Sequence, residues 1–215
     1  MNKDTIILFD LDGTLIDSTD AIVESFAVVY KAFDKRMPEV EEIKALIGYP
    51  LDAMFTSLGI ADKDIEAYVQ VYKQHYRVIS CAKTTLLPQA REAVALAAKH
   101  ALLGVVTTKT GKYSIELLEH MGLMRYFDVL IGRENVTFPK PNPEPIEKAL
   151  HQLPKVTGNI WMVGDTCMDM EAASAANIVS IGVLCGYGQE EDLRKCTKNI
   201  MPNSYQAVEQ IIAKQ

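Results

Sequence analysis

The sequence contains no block of basic residues. Its 215 residues include 22 Lys and Arg against 28 Asp and Glu, a formal net charge of −6, and no basic stripe is interleaved with aromatic residues. Proteins that bind nucleic acids concentrate positive charge on one face. We therefore expect no nucleic-acid partner, and we expect any site that handles phosphate groups to gather its cations locally.

Long apolar runs are also missing. A membrane helix needs about 20 consecutive apolar residues, and no run in the chain approaches that length. The apolar run near the start is too short for a signal sequence and lacks a cleavage site of small residues. The sequence predicts a cytoplasmic protein with no membrane partner.

Cysteine is scarce, and its spacing is irregular. None of the four cysteines forms a C-x-x-C pair: they are Cys81, Cys167, Cys185 and Cys196. Closely spaced pairs are typical of zinc sites, and a regular cysteine framework is typical of small secreted domains. The pattern therefore predicts ordinary reduced thiols, without a zinc site or a disulfide framework.

Two regions of the chain differ in hydrophobic pattern. Residues 17–83 place apolar side chains at helical spacing, as at Ile22, Phe26 and Val29, which predicts a small helical bundle. From residue 84 onward, helical stretches alternate with short apolar runs, a pattern typical of parallel βα units. Together with the run that starts at Ile6, these runs predict an α/β fold with about five core strands.

The segment IILFDLDGTL, residues 6–15, carries the strongest functional signal. An apolar run delivers Asp10 and Asp12 into a glycine turn, and the carboxyl end of a buried parallel strand is where open α/β folds bind ligands. The spacing of the two acids suits a hard divalent cation, bound by two carboxylates or by one carboxylate and one backbone carbonyl. Gly13 permits close approach of the backbone, and Thr14 offers a hydroxyl and an N–H group to phosphate oxygens.

Three later segments also place polar residues directly after, or near, an apolar run. Thr107 follows two valines in VVTTK, Lys140 lies between prolines in FPKPNP, and Asp165 and Asp169 follow two apolar residues in MVGDTCMD. Each segment alone is a weak signal, since a turn, a solvated loop or a helix cap would have the same composition. Their order after DLDGT, with helices between the first two, is a stronger signal.

That order resembles the haloacid dehalogenase superfamily of phosphatases across nearly the whole chain. DLDGT is similar to its first motif, Thr107 to the second, Lys140 to the third and GDTCMD to the fourth. The segments IGYPL, DTCMDMEAASAA and GVLCGYG resemble the phosphoglycolate phosphatase-like members. Thr108 stands where many relatives have asparagine, which puts one substrate hydrogen bond in doubt.

The resemblance implies a chemistry for each motif. Asp10 is expected to attack phosphorus and form an aspartyl-phosphate, with Mg²⁺ held by Asp10, the carbonyl of Asp12 and Asp165. Asp12 is expected to protonate the leaving alcohol and then to activate water. Lys140 and Thr107 are expected to stabilise charge on the transferred oxygens.

The resemblance also implies supporting roles. We expect Asp169 to orient Lys140 or a metal-bound water. Four residues of the first two motifs are expected to bind the phosphate group: Gly13, Thr14, Thr108 and Lys109.

The implied fold is a Rossmann-like, doubly wound parallel sheet with an inserted helical cap. We expect a core of residues 1–16 and 84–215 and a cap of residues 17–83, with hinges near Asp17 and Lys83. Specificity is expected to come from cap residues 45–55, and Lys44 or Arg77 is expected to contact a second anionic group of the substrate. A helical cap offers surfaces for either a monomer or a homodimer.

The predicted function is hydrolysis of a small phosphate monoester, similar to phosphoglycolate. A sugar-phosphate mutase is the main alternative, although Leu51 stands where mutases of this superfamily have arginine and Thr14 where they usually have valine. A pyrophosphatase of the same superfamily is a further alternative. A non-catalytic binding protein remains a remote one, because all the acidic and cationic motif positions are filled.

Overall fold

The structure, a computed structural model, describes residues 3–214. In chain order its strands are β1 (Ile6–Phe9), β2 (Ile16–Asp17), β3 (Thr85–Leu86), β4 (Leu102–Val106), β5 (Val129–Ile131), β6 (Ile160–Gly164), β7 (Val179–Val183) and β8 (Ile200–Met201). Six of them form a central parallel sheet with the order β5-β4-β1-β6-β7-β8, and β2 and β3 form a separate antiparallel pair.

Strand β1 is buried on both faces. Its residues alternate between two hydrophobic clusters, with Ile7 and Phe9 in one and Ile6 and Leu8 in the other. Such a continuous apolar strand is expected where helices cover both faces of a parallel sheet. The helices after β3 are α5 (Ala90–His100), α6 (Gly111–His120), α7 (Glu144–Gln152), α8 (Cys167–Ala175), α9 (Glu190–Cys196) and α10 (Ser204–Ala213). Residues of α5 and α10 pack in the first cluster, and residues of α7 and α8 pack in the second. The predicted doubly wound α/β fold is confirmed.

Four helices occupy the stretch between β2 and β3 and form the predicted helical cap. They are α1 (Thr19–Ala32), α2 (Val40–Lys44), α3 (Leu51–Ser57) and α4 (Asp62–Ile79). Their buried side chains form a hydrophobic cluster distinct from the two that flank the sheet. Aromatic rings dominate this cluster, with ring centroids 4.9 Å apart between Phe26 and Phe55 and 4.1 Å apart between Phe33 and Tyr68.

Two short pieces of sheet were not predicted. Strands β2 and β3 pair antiparallel, with Ile16 opposite Leu86 and Asp17 opposite Thr85, so the chain enters and leaves the cap at adjacent positions. Strand β8 adds a sixth strand to the predicted five at the sheet edge. Each of these strands has two residues, which is too short to give a period-two pattern.

The cysteine prediction is wrong for one pair. Cys167 at the start of α8 and Cys196 at the end of α9 form a disulfide across a sequence separation of 29 residues, while Cys81 and Cys185 are free thiols. Local spacing could not reveal this pair, because packing of α8 against α9 brings the two ends together. A disulfide is unusual in a reducing compartment, and the cytoplasmic location stays a prediction.

Among the helices of residues 3–214, none combines the length and the apolar character that crossing a membrane requires.

Candidate active site

The candidate site lies at the carboxyl ends of the central strands. Asp10 directly follows β1, Thr107 follows β4 and Asp165 follows β6, and β1 lies between β4 and β6 in the sheet. Connections run to opposite sides of the sheet from this point, where open α/β sheets form their ligand crevice. Residues from three distant parts of the chain therefore meet at one edge.

Lys140 lies between two of the predicted acids. Its Nζ is 2.7 Å from Oδ1 of Asp10, 2.5 Å from Oδ1 of Asp169 and 3.0 Å from the carbonyl oxygen of Val106. Burial lowers the pKa of Lys140, but the two carboxylates outweigh burial and the net pKa is raised. Lys140 therefore remains a fixed cation beside Asp10.

Three carboxyl groups form a buried acidic cluster. One oxygen from each of Asp10, Asp165 and Asp169 lies within 4.8 Å of the others. Burial, and then the neighbouring acids Asp169 and Asp165, raise the pKa of Asp10 well above its usual range despite Lys140. Burial and the charge of Asp169 likewise raise the pKa of Asp165 to about 7.

This cluster fits a hard divalent cation. Closely spaced acids resist simultaneous ionisation unless positive charge is added, and carboxylate oxygens are the ligands that Mg²⁺ prefers. The backbone also approaches Asp165 closely, since a Cβ atom at either Gly13 or Gly186 would lie 2.2 Å from its Oδ2. Thr14 Oγ1 donates to Asp165 Oδ1 at 3.1 Å. Asp169 belongs to the cluster, but its oxygens already accept from Lys140 and Thr166.

Asp12 faces a different set of partners. The ammonium of Lys109 lies 3.0 Å from its Oδ2, and the Ser18 hydroxyl donates to its Oδ1. Lys109 also lies 4.6 Å from the ring centroid of Tyr76 in the cap. Burial lowers the pKa of Lys109, whereas Asp12 and the tyrosine rings raise it, with a raised pKa as the net result. The second acid of the first motif thus lies between the core and the cap.

The two threonines of the second motif have separate contacts. The Thr107 hydroxyl oxygen accepts from the backbone N–H of Lys109 at 3.2 Å, which leaves its proton for another acceptor. The Thr108 hydroxyl donates to the carbonyl oxygen of Gly48 at 2.6 Å. Thr108 therefore provides a hydrogen bond from the core to the cap.

Comparison with known proteins identifies the family. A family model described as haloacid dehalogenase-like hydrolase matches residues 7–183. The chain belongs to this family. It is 31% identical over 209 residues to the probable phosphatase IndB of Dickeya dadantii. The match covers 94% of this chain and 91% of that protein.

Two further matches agree with the assignment to the haloacid dehalogenase-like hydrolases. A phosphoglycolate phosphatase of Aquifex aeolicus is 32% identical over 183 residues, covering 85% of each chain. The crystal structure of a putative haloacid dehalogenase-like hydrolase from Bacteroides fragilis superposes with a TM-score of 0.89 at 29% identity, covering 95% of this chain and all of that one. The predicted family and the predicted enzyme class, a phosphatase, are both confirmed.

Three residues that contact the acids of this hydrolase had no predicted role: Ser18, Thr166 and Tyr187. Ser18 donates to Asp12, and the backbone N–H of Tyr187 donates to Oδ2 of Asp165 at 2.8 Å. The Tyr187 hydroxyl lies 3.2 Å from both Asp17 and Thr19, where the chain enters the cap. The segment GVLCGYG carried a resemblance to the family, but its pattern does not reveal a long-range contact to Asp165.

A cavity of about 320 Å³ separates the cap from the core of this hydrolase. Its lining includes Asp12, Lys109 and several residues of the predicted specificity segment 45–55, among them Gly48 and Leu51. Helix α4 supplies another wall, which was not predicted. Of the two cations proposed from the sequence, Lys44 pairs with Glu41 at 2.9 Å, and neither it nor Arg77 lines the cavity.

Proposed function

We propose that this hydrolase is a magnesium-dependent phosphatase that cleaves a small phosphate monoester through a phosphorylated Asp10. The observation that carries the proposal is the position of Asp10, which is buried at the end of β1 beside Lys140, Asp165 and Asp169. A carboxylate that is fixed by a buried cation and surrounded by further acids suits a nucleophile that works beside a metal ion.

Magnesium would be held by the Asp10 and Asp165 carboxylates and by the backbone carbonyl of Asp12. When bound, it supplies positive charge that offsets the repulsion between Asp10 and a phosphate dianion. Thr14 and the N–H of Tyr187 keep Asp165 in place through hydrogen bonds to its two oxygens. These contacts would fix the ligand oxygens before substrate arrives.

Asp10 carries the first chemical step. Its carboxylate oxygen forms a bond to phosphorus while the bond from phosphorus to the alcohol oxygen breaks, in line with the attack. Lys140 holds Asp10 and faces the transferred group as a fixed cation, and the free proton of the Thr107 hydroxyl is available to a phosphoryl oxygen. Asp169 keeps Lys140 in position.

Asp12 carries the proton transfers. It gives a proton to the leaving alkoxide. It later takes one from the water whose oxygen bonds to phosphorus while the bond from phosphorus to the Asp10 oxygen breaks and phosphate leaves, a role commonly contributing about 10²- to 10⁴-fold. Ser18 orients its carboxyl group. Because Lys109 contacts Asp12 at 3.0 Å, Lys109 must move aside before the leaving oxygen can approach Asp12 Oδ2. The proposed binding of phosphate by Lys109 would accompany that movement.

We also propose that the cap, residues 17–83, moves on hinges at its two ends relative to the core of residues 1–16 and 84–215. The antiparallel contact of β2 with β3 brings these ends together. Tyr187 contacts the chain at Asp17 and Thr19, and Lys83 pairs with Glu24. Closure would exclude water from the aspartyl-phosphate until hydrolysis.

The choice between hydrolysis and transfer to a sugar is supported by the cap. Leu51, at the position where mutases of the superfamily have arginine, lines the cavity between cap and core. An aliphatic side chain at this position offers nothing to a second phosphate group. This supports the phosphatase over the mutase and, since the cavity is largely apolar, over a pyrophosphatase.

The test is phosphate release from a panel of monoesters, with phosphoglycolate as the reference compound because relatives carry that name. We expect release that requires Mg²⁺ and that falls by about 10⁴-fold or more in Asp10→Asn. The matched control is Asp64→Asn, which changes an exposed acid on α4 and should leave release unchanged. Full activity in Asp10→Asn, or activity in chelator, would refute the proposal.

A further inference from the structure

The cavity between cap and core begins on the leaving-group side of the proposed reaction. Asp12, which is proposed to protonate the leaving oxygen, lines the cavity, whereas Asp10 does not. The space therefore accommodates the alcohol part of the substrate, beyond the phosphoryl group. At about 30 Å³ per water molecule, its volume of about 320 Å³ holds roughly ten water-sized groups, clearly more than a two-carbon acid needs.

The walls of the cavity are mostly apolar. The aromatic and aliphatic side chains that line it come mainly from the cap, with Tyr113 from the core: Ile22, Met54, Val69, Tyr72, Tyr76 and Tyr113. The rings of Tyr72 and Tyr76 stack with centroids 5.4 Å apart and an interplanar angle of 11°. The ring of Tyr113 lies 6.3 Å from that of Tyr76. Tyr72 and Tyr76 are themselves buried in the cap, whereas Tyr113 is half-buried, so a planar apolar group would gain burial in this space and a contact with Tyr113.

Among residues 3–214, two of the three cations that line the cavity lie beside a carboxylate. Lys109 is paired with Asp12 at 3.0 Å, and Arg133 lies 3.8 Å from Asp52. The carboxylate of Glu134, which adds negative charge, accepts from the backbone of Gly111 and Lys112. Of the cations that line the cavity within residues 3–214, half-buried Lys73 alone has no carboxylate partner.

We infer that the substrate is a phosphate monoester whose alcohol part carries an apolar ring, about the size of a substituted benzene, in place of a short carboxylate such as glycolate. This inference rests on the proposed phosphatase function and narrows its substrate class. The ring occupies the apolar part of the cavity beside Tyr113 and the aliphatic side chains of the cap, and the ester oxygen faces Asp12. A carboxylate at the same place would meet Asp12, Asp52 and Glu134 without a free partner other than Lys73.

The first experiment compares three alkyl phosphates in the presence of Mg²⁺: 2-phenylethyl phosphate, ethyl phosphate and phosphoglycolate. All three leave as aliphatic alcohols, so the comparison isolates the contribution of the ring from that of an activated leaving group. We expect kcat/KM for 2-phenylethyl phosphate to exceed both others by about 10-fold or more. Equal values, or a preference for phosphoglycolate, would overturn the inference while leaving the phosphatase proposal intact.

A cavity-filling variant locates the effect. Ile65→Trp places a large side chain in the lining of the cavity, and Val78→Trp places the same side chain at a position 80% exposed on the same helix. We expect Ile65→Trp to lower kcat/KM for 2-phenylethyl phosphate by about 10-fold or more and to leave ethyl phosphate nearly unchanged. Val78→Trp should match the unaltered protein. Parallel losses for both substrates in Ile65→Trp would contradict a ring site.

A binding measurement keeps the inference separate from the catalytic proposal. Calorimetric titration with 2-phenylethyl phosphonate and ethyl phosphonate, which the enzyme cannot turn over, should show about 10-fold tighter binding of the first, and Ile65→Trp should remove the difference. If no ester is hydrolysed, the phosphatase proposal fails and this titration alone decides whether the ring site exists. Lys73→Met tests the opposite assignment. If this variant loses only phosphoglycolate hydrolysis, and the unaltered protein shows no preference for 2-phenylethyl phosphate, the cavity binds a carboxylate instead of a ring.

Discussion

The ammonium nitrogen of Lys140 lies 2.7 Å from a carboxylate oxygen of Asp10, and both side chains are buried. A second acid, Asp169, contacts the same nitrogen at 2.5 Å. One cation is thus shared between the end of β1 and the first turn of α8, and its loss would leave two carboxyl groups without a partner in a water-poor environment.

Lys140→Ala is expected to lower the free energy of unfolding by about 3–5 kcal/mol, because breaking a buried ion pair leaves uncompensated charge. Urea unfolding at neutral pH measures the change. The control is Lys148→Ala, which removes a pair with Glu144 in which the lysine is 44% exposed and should cost about 0–1 kcal/mol. Similar losses in both variants would show that Lys140 contributes no more than a surface pair.

The stability of the metal-free protein should fall as pH rises between about 4 and 7. Burial and the charge of Asp169 raise the pKa of Asp165 to about 7 in the folded state, from an ordinary value of 3.8 for an exposed aspartate. The folded protein therefore binds the extra proton more tightly than the unfolded chain, and this contribution is complete below the unfolded pKa and is lost as pH passes the folded one.

Thermal unfolding in chelator at several pH values tests this dependence, with Asp165→Asn as the comparison. As pH rises, the melting temperature of the unaltered protein should fall relative to that of Asp165→Asn. Added Mg²⁺ should stabilise the unaltered protein most at the higher pH, where Asp165 is ionised. A difference that is constant from pH 4 to 7 would contradict a raised pKa of Asp165.

Thr108→Val should weaken the contact between the cap and the core. The variant keeps the shape of the side chain but removes the 2.6 Å hydrogen bond to the Gly48 carbonyl. A hydrogen bond of this kind contributes about 0.5–1.5 kcal/mol, so we expect KM to rise by roughly 2- to 10-fold. Steady-state kinetics measures this, and Thr108→Ser should restore the value. If Thr108→Ser behaves as Thr108→Val does, the hydroxyl has no part in closure.

Cys196→Ser should destabilise the oxidised protein. The disulfide to Cys167 closes a loop with a sequence separation of 29 residues, and a cross-link of this size contributes roughly 3–4 kcal/mol by restricting the unfolded chain. Mass spectrometry of unreduced peptides establishes the bond, and urea unfolding gives its contribution. Cys81→Ser, at a free and half-buried thiol, is the control. A reductant should abolish the difference between Cys196→Ser and the unaltered protein, and a persistent difference would argue for another cause.

Short apolar runs that end in polar residues predicted much of the candidate site. Asp10, Thr107 and Asp165 each follow such a run, and parallel strands bring their carboxyl ends to one edge. The resemblance of their motifs to those of the family also predicted that Asp169 orients Lys140 or a metal-bound water, and in the structure Asp169 contacts Lys140. These features depend on local pattern and on chain order, which the sequence displays directly.

Contacts between distant loops could not be predicted in this way. The pairing of Lys109 with Asp12 and the hydrogen bond of Tyr187 to Asp165 depend on loop conformations that no periodicity encodes. The helical pattern of residues 17–83 did not reveal that Tyr72 and Tyr76 line a cavity as well as the core of the cap. The same apolar pattern serves both purposes.

Strands β2 and β3 set the two ends of the helical cap side by side on the core. Since the entry and exit points are adjacent, the segment between them can change in length and composition without altering the spacing of the strands that carry Asp10 and Asp165. A change in the leaving group that the enzyme accepts can therefore arise from changes in the cap alone, while the proposed catalytic residues at the strand ends keep their positions.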